Sequence, residues 1–224
     1  MDLDGTLIES SGDITRAINS LLTQKGLAGA RLTKEQVSPM IGDGMQTLMK
    51  RAWLKAAGED IRDKGQLQDL ALELAKIYDQ QDFSETRMFP KVHETLEYLH
   101  EEEGHRLGLA TNKDQAPTEE ILEHFNIRKF FSSVVGGDAL PVQKPDAGHL
   151  LYAVESGGGN VHEAIMIGDG HNDVLVAHAA GVPSIAIRSG YSRIPLEELH
   201  PSLIIDTFED VPDAITRLTD SSMY

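Results

Sequence analysis

From Phe89-Pro90 onward the chain alternates between short, continuously apolar runs and segments of helical spacing. That rhythm restricts the fold more than any other feature. The apolar runs are "RLGLAT", "FFSSVV", "AIMIGD", "PSIAIR" and "SLIID". Helical spacing falls near Val92 to Glu102, in "PTEEILEHF", "AGHLLYAVES" and "DVLVAHAAG", and from about Asp210 to Leu218. Strands that are apolar at every position are buried on both faces, so the alternation predicts an α/β, Rossmann-like parallel sheet with helices on both faces. Ligands of such sheets bind beyond the carboxyl ends of the strands. The loops to inspect are therefore "DLDGT", "ATNK", "PVQKPD" and "GDGHND".

From about Ser11 to Phe83 the pattern is helical throughout. Ile14, Ala17, Ile18, Leu21 and Leu22 form one apolar stripe, and Thr33 with Gln36 has the form of a capping box. "MQTLMKRAWLKAAG" reads as a helix stopped by Gly58, and "QLQDLALELAKIYDQ" as another. The expected organisation is a core of residues 1–10 and 84–224 with a small helical bundle, residues 11–83, inserted as a cap. The boundary falls near "SETRMFPK". In the insert, "IGDGM" reads as a loop whose Gly42 and Gly44 admit a ligand to the backbone. Lys50 or Arg51 would meet a substrate carboxylate there, and the bundle would act as a lid.

The 224 residues carry a formal charge of −16 and no cysteine. Without a basic patch, such a charge repels phosphodiester backbones and anionic lipid, so neither nucleic acid nor a membrane surface is an expected partner. The absence of thiols excludes disulfides and cysteine catalysis. No leader or membrane-spanning run is recognised, and the expected compartment is the cytoplasm. The chain is read as a monomer or homodimer acting on a small phosphorylated metabolite.

Asp2, Asp4, Asp169 and Asp173 would gather at one mouth of the sheet, and carboxylates at such range oppose each other's ionisation. A cation is therefore expected. Oxygen donors favour a hard ion, and a site that also holds phosphate favours Mg²⁺ over Ca²⁺. His171 is expected to face solvent. A calcium-binding loop at the start of the chain fails at Leu7, where glycine is needed. Thr111 and Asn112 at a strand end and the ammonium of Lys144 are suited to hold phosphate oxygens. One aspartate as nucleophile and a second as acid and base would split ester cleavage into two displacements. His93, His105, His124 and His149 lie in ordinary helix or strand contexts and receive no role.

"DLDGTL", "LATNK", "QKP" and "IGDGHND", in that order, resemble the four motifs of the haloacid dehalogenase superfamily of phosphatases, over essentially the whole chain. The helical insert and the tail "GYSRIPLEELHPSLIIDTFEDVPDAI" are similar to those of bacterial-type phosphoglycolate phosphatases. The resemblance implies Asp2 as nucleophile, Asp4 as general acid and base, and Thr111 and Lys144 as phosphate ligands. It implies Mg²⁺ held by the Asp2 and Asp169 side chains and the Asp4 backbone carbonyl, with Asp173 supporting those ligands from behind or reaching the ion through a water. The implied substrate is 2-phosphoglycolate; sugar phosphates, pyrophosphate, a phosphomutase reaction and a non-catalytic binding domain are the alternatives. In the resembling family a central apolar strand precedes the nucleophile. Only Met1 precedes Asp2 here, so the expectation is that the first strand of the core is missing from this chain.

Overall fold

A computed structural model of the protein describes residues 1–221. In chain order its elements are β1 (Ile8–Glu9), α1 (Ser11–Gln24), α2 (Lys34–Val37), α3 (Gly44–Ala57), α4 (Lys64–Tyr78), β2 (Arg87–Met88), α5 (Val92–Glu97), β3 (Leu107–Ala110) and α6 (Gln115–His124). They continue as β4 (Phe131–Val135), α7 (Ala147–Ser156), β5 (Met166–Gly168), α8 (His171–Ala180), β6 (Ser184–Ile187), β7 (Leu203–Ile205) and α9 (Val211–Ser221). The chain packs as two units, one of Met1–Glu9 with Met88–Tyr224 and one of Ser10–Arg87.

The Ser10–Arg87 unit is helical. The stripe of α1 is buried at Ile14, Ala17, Ile18, Leu21 and Leu22, and α4 buries Leu70, Ala71, Leu74 and Tyr78. Each helix hides one apolar face because an isolated helix of this length is marginal in water. Asn19, inside α1, closes the loop ahead of α2 by donating to the Leu32 carbonyl at 2.9 Å and accepting from its N–H at 2.8 Å. The Thr33 N–H donates to Gln36 Oε1 at 3.0 Å, and α3 ends at Gly58 in a left-handed conformation.

In the other unit, the continuously apolar runs are parallel strands. β3 pairs with β4, with Leu109 opposite Val134 and Ala110 opposite Val135. β5, β6 and β7 form a second parallel set, with Ile167 opposite Ile185 and Ala186 opposite Ile204. The first two residues of the chain hydrogen-bond to both sets. The Met1 carbonyl accepts from Ala110 N–H at 2.9 Å, and the Asp2 N–H donates to the Ile167 carbonyl at 2.9 Å. The Met1 amino group donates to the Gly108 carbonyl at 2.7 Å. α7 and α8 pack on these strands around a core of Ala110, Val135, Leu150, Ala153, Met166, Val176 and Ala177. The helix expected near Val92 to Glu102 is α-helical to Glu97 and then widens to a π-helical stretch at Tyr98–Glu102. Both His93 and His100 on this segment meet the buried Phe130 ring edge-on.

His149 on α7 is fully buried, with Nε2 3.1 Å from the Gly136 carbonyl oxygen and Nδ1 without a hydrogen bond. Burial holds its pKa below the ordinary histidine value. The folded protein therefore resists a proton that the unfolded chain takes up, and this group's penalty grows as pH falls below about 6.5. Denaturant unfolding at pH 7.5 and 5.5 should show the wild type losing more stability than His149→Gln, which can retain the bond to Gly136.

Candidate functional site

The opening loop is drawn tight by one acceptor. The Leu3 carbonyl takes the N–H groups of Thr6, Leu7 and Ile8 at 3.3, 2.9 and 3.1 Å, while the Gly5 N–H donates to the Ile8 carbonyl at 2.8 Å. Gly5 holds φ +88°, and a Cβ there would come within 2.4 Å of Asp169 Oδ2. The turn thus needs glycine twice over, for its conformation and for the carboxylate that fills its hollow. Gly190 lines the other side of the same carboxylate, where a Cβ would meet Asp169 Cβ at 2.1 Å.

Asp2, Asp169 and Asp173 converge here, each at most 8 % exposed, and one oxygen from each lies within 4.8 Å of those from the other two. Asp2 follows the backbone held between β3 and β5. Asp169 follows β5 directly, and Asp173 lies in the first turn of α8. Asp169 accepts from the Thr6 hydroxyl at 2.9 Å and the Tyr191 N–H at 2.6 Å. Asp173 Oδ2 accepts from the N–H groups of Asp169 and Gly170 at 3.1 and 3.0 Å, as a carboxylate at a helix N-terminus does. Its Oδ1 takes the Lys144 ammonium at 2.6 Å, and that ammonium lies 2.9 Å from Asp2 Oδ1.

Burial, then the neighbouring charges of Asp173 and Asp2, push the Asp169 carboxyl well above the usual carboxylate range. Asp173 is also raised, by burial, although the Lys144 charge pulls the other way. Burial alone would lower the Lys144 pKa, but Asp173 and Asp2 more than compensate, and it stays above its ordinary value. The ammonium reaches two of the three carboxylates, so the cluster retains a negative excess. Buried, closely spaced oxygen donors with such an excess fit a hard divalent cation.

The other sequence-predicted residues fall as follows. Thr111 follows β3, is buried, and holds its backbone N–H on the Val135 carbonyl at 3.0 Å. The Asn112 amide donates to the Lys144 carbonyl at 3.0 Å, tying one loop to the other. The Asp4 carboxylate is 9 % exposed and pairs with Lys113 Nζ at 3.2 Å, outside the cluster of three. His171 begins α8 and lies 3.3 Å from the Arg193 guanidinium. In the helical unit, Gly42 and Gly44 both hold positive φ. Lys50 pairs with Asp60 at 3.4 Å; Arg51 pairs with Asp43 and donates to the Met40 carbonyl at 3.0 Å.

Lys113 and the Gly190-Tyr191 backbone escaped the sequence reading. Lys113 was visible in "ATNK", one place beyond the residues singled out. The role of Gly190-Tyr191 is carried by an N–H and by a missing side chain, which no residue type announces.

The description "Haloacid dehalogenase-like hydrolase" belongs to the family model that matches residues 1–187. The chain is 33 % identical over 214 residues to a phosphoglycolate phosphatase of Agrobacterium fabrum, covering 96 % of this chain and 90 % of that one. It is 38 % identical over 219 residues to a phosphoglycolate phosphatase of Caulobacter vibrioides, covering 97 % and 90 %. Among solved structures, a protein from Haemophilus somnus described as a predicted phosphoglycolate phosphatase superposes with a TM-score of 0.85 at 31 % identity, covering 95 % of each chain.

If the three carboxylates hold a divalent cation, millimolar Mg²⁺ should raise the melting temperature relative to EDTA. Binding at 100 times Kd contributes about 2.7 kcal/mol. Because the Asp169 and Asp173 pKa values are raised, protons compete early. The increment should shrink as pH falls through that raised range, and Asp169→Asn should abolish it. Scanning fluorimetry across pH checks both.

Proposed function

The chain belongs to the haloacid dehalogenase-like hydrolases, and on that premise we propose that it is a Mg²⁺-dependent phosphomonoesterase acting on 2-phosphoglycolate. The observation that carries the reading is the buried meeting of Asp2, Asp169 and Asp173, two of which share the Lys144 ammonium. A phosphoryl group needs such a setting: carboxylate oxygens for a cation, an ammonium for its own oxygens, and one carboxylate to attack phosphorus. The substrate follows from the relatives, two of which are phosphoglycolate phosphatases matching more than nine-tenths of this chain.

Asp2 is the nucleophile. One of its oxygens bonds to phosphorus as the ester bond breaks, and the departing alkoxide takes a proton from Asp4, leaving an aspartyl phosphate and glycolate. Asp4 then removes a proton from water, whose oxygen attacks the same phosphorus. Inorganic phosphate leaves and the Asp2 carboxylate is restored. Lys144, Thr111 and the Asn112 N–H hold the phosphoryl oxygens throughout. Mg²⁺, held by the side chains of Asp2 and Asp169 and the Asp4 backbone carbonyl with Asp173 in support, would neutralise charge on the phosphoryl group. The helical unit Ser10–Arg87 serves in this reading as a lid that excludes water, with Gly42, Gly44, Lys50 and Arg51 its candidates for meeting substrate.

Phosphate release from 2-phosphoglycolate is expected with Mg²⁺, is expected to stop in EDTA, and should vanish in Asp2→Asn. Asp4→Asn should lose about 100- to 10,000-fold on phosphoglycolate. In kcat/KM, which reports formation of the aspartyl phosphate and not its hydrolysis, it should lose far less on p-nitrophenyl phosphate, whose leaving group needs no proton. Turnover by Asp2→Asn at the unmutated rate would remove the nucleophile, and a preference for hexose phosphates would remove the substrate.

A further inference from the structure

Two lysines approach the aspartates, and they do so on different partners. Lys144 lies between Asp2 and Asp173. Lys113 instead reaches Asp4, with its Nζ 3.3 and 3.2 Å from the two carboxylate oxygens. Its side chain is only 8 % exposed, although lysine ordinarily keeps its ammonium in water. Its backbone is fixed at both polar groups. The Lys113 N–H donates to Thr111 Oγ1 at 3.3 Å, and the Lys113 carbonyl accepts from Gly137 N–H at 2.8 Å. The ammonium is thus held at the carboxylate that, in the reading above, faces the leaving group.

The geometry points to Lys113 as the residue that selects a leaving group bearing its own carboxylate. This rests on the proposed role of Asp4: an acid that protonates the ester oxygen must lie within hydrogen-bonding distance of it. In 2-phosphoglycolate the carboxyl carbon is two bonds from that oxygen. A cation bonded to Asp4 therefore stands where the substrate carboxylate arrives. When Asp4 carries the proton it is to donate, it no longer offsets the charge of the largely desolvated Lys113 ammonium, which then favours an anionic substrate group over a neutral isostere. The division of labour is between Lys144 on the phosphoryl side and Lys113 on the side of the departing alcohol. Lys50 and Arg51, the cations the sequence offered for this task, are engaged with Asp60 and with Asp43 and the Met40 carbonyl inside their own unit.

The experiment compares kcat/KM for 2-phosphoglycolate and for 2-hydroxyethyl phosphate, which replaces the carboxylate by a neutral alcohol of similar size. Wild type, Lys113→Met and Lys113→Arg are measured with Mg²⁺, and melting curves establish that the variants fold; Lys113→Gln replaces Lys113→Met if the latter does not. In wild type, phosphoglycolate should be preferred roughly 10- to 100-fold, the range of one charge-assisted hydrogen bond. In Lys113→Met that ratio should fall towards unity, whatever the absolute loss, chiefly through a raised KM for phosphoglycolate. Lys113→Arg should retain a preference. A ratio unchanged in Lys113→Met, with both substrates slowed equally, would confine the lysine to supporting Asp4 and overturn the inference. Wild type that shows no preference for phosphoglycolate would instead overturn the substrate reading on which it rests.

Discussion

Mutual repulsion among three buried carboxylates is the constraint that organises this site. Two unit charges about 4 Å apart in a medium of effective dielectric near 20 repel by about 4 kcal/mol, a large part of the roughly 5–15 kcal/mol that holds a domain together. Each carboxylate is accordingly met by donors. Asp2 and Asp173 share the Lys144 ammonium, Asp173 also takes two backbone N–H groups, and Asp169 takes a hydroxyl and an N–H. These contacts lessen the repulsion without removing it, and the pKa values of Asp169 and Asp173 stay raised, by burial first and by the neighbouring carboxylate charges after it. A site held in that condition is receptive to a divalent cation and to the anion such a cation attracts.

The fold meets this constraint through backbone rather than through any single side chain. Residues 1 and 2 hydrogen-bond to β3 on one side and β5 on the other, which fixes Asp2 against the strand that Asp169 follows. The Asn112 amide holds the carbonyl of Lys144, so the ammonium is positioned from the far end of β3. Gly5 and Gly190 leave room for the Asp169 carboxylate from two directions. Rigid strand ends place the chemistry, as expected of parallel sheets, whose loops carry function on a scaffold that does not deform.

The two lysines give this arrangement direction. Lys144 lies among the clustered carboxylates and Lys113 on Asp4; on the proposed reaction the first would face phosphorus and the second the departing oxygen. A site with only the first lysine could still cleave phosphoesters, but it would discriminate poorly among leaving groups. Activity and selectivity would then reside in different residues of one sheet edge, which is how a single core can serve many substrates.

The sequence by itself determined a good deal. Continuous apolar runs such as "AIMIGD" become strands wherever they are buried on both faces, and the Ile14 to Leu22 stripe becomes one side of α1, because periodicity of hydrophobicity is a local property. Residue type together with place, in loops at the strand ends and in the order of four motifs, marked Asp2, Asp169, Asp173 and Lys144. Tertiary structure decided the rest: that Asp4 turns to Lys113 and not to the other carboxylates, that His149 is sealed beneath Gly136, and that Arg51 is engaged by Asp43 and the Met40 carbonyl. It also decided that the Tyr191 N–H holds Asp169. Those outcomes depend on which groups, up to 109 residues apart in the case of Asp4 and Lys113, are packed together once water is excluded. A partner chosen by packing leaves no periodic trace in the chain that carries it.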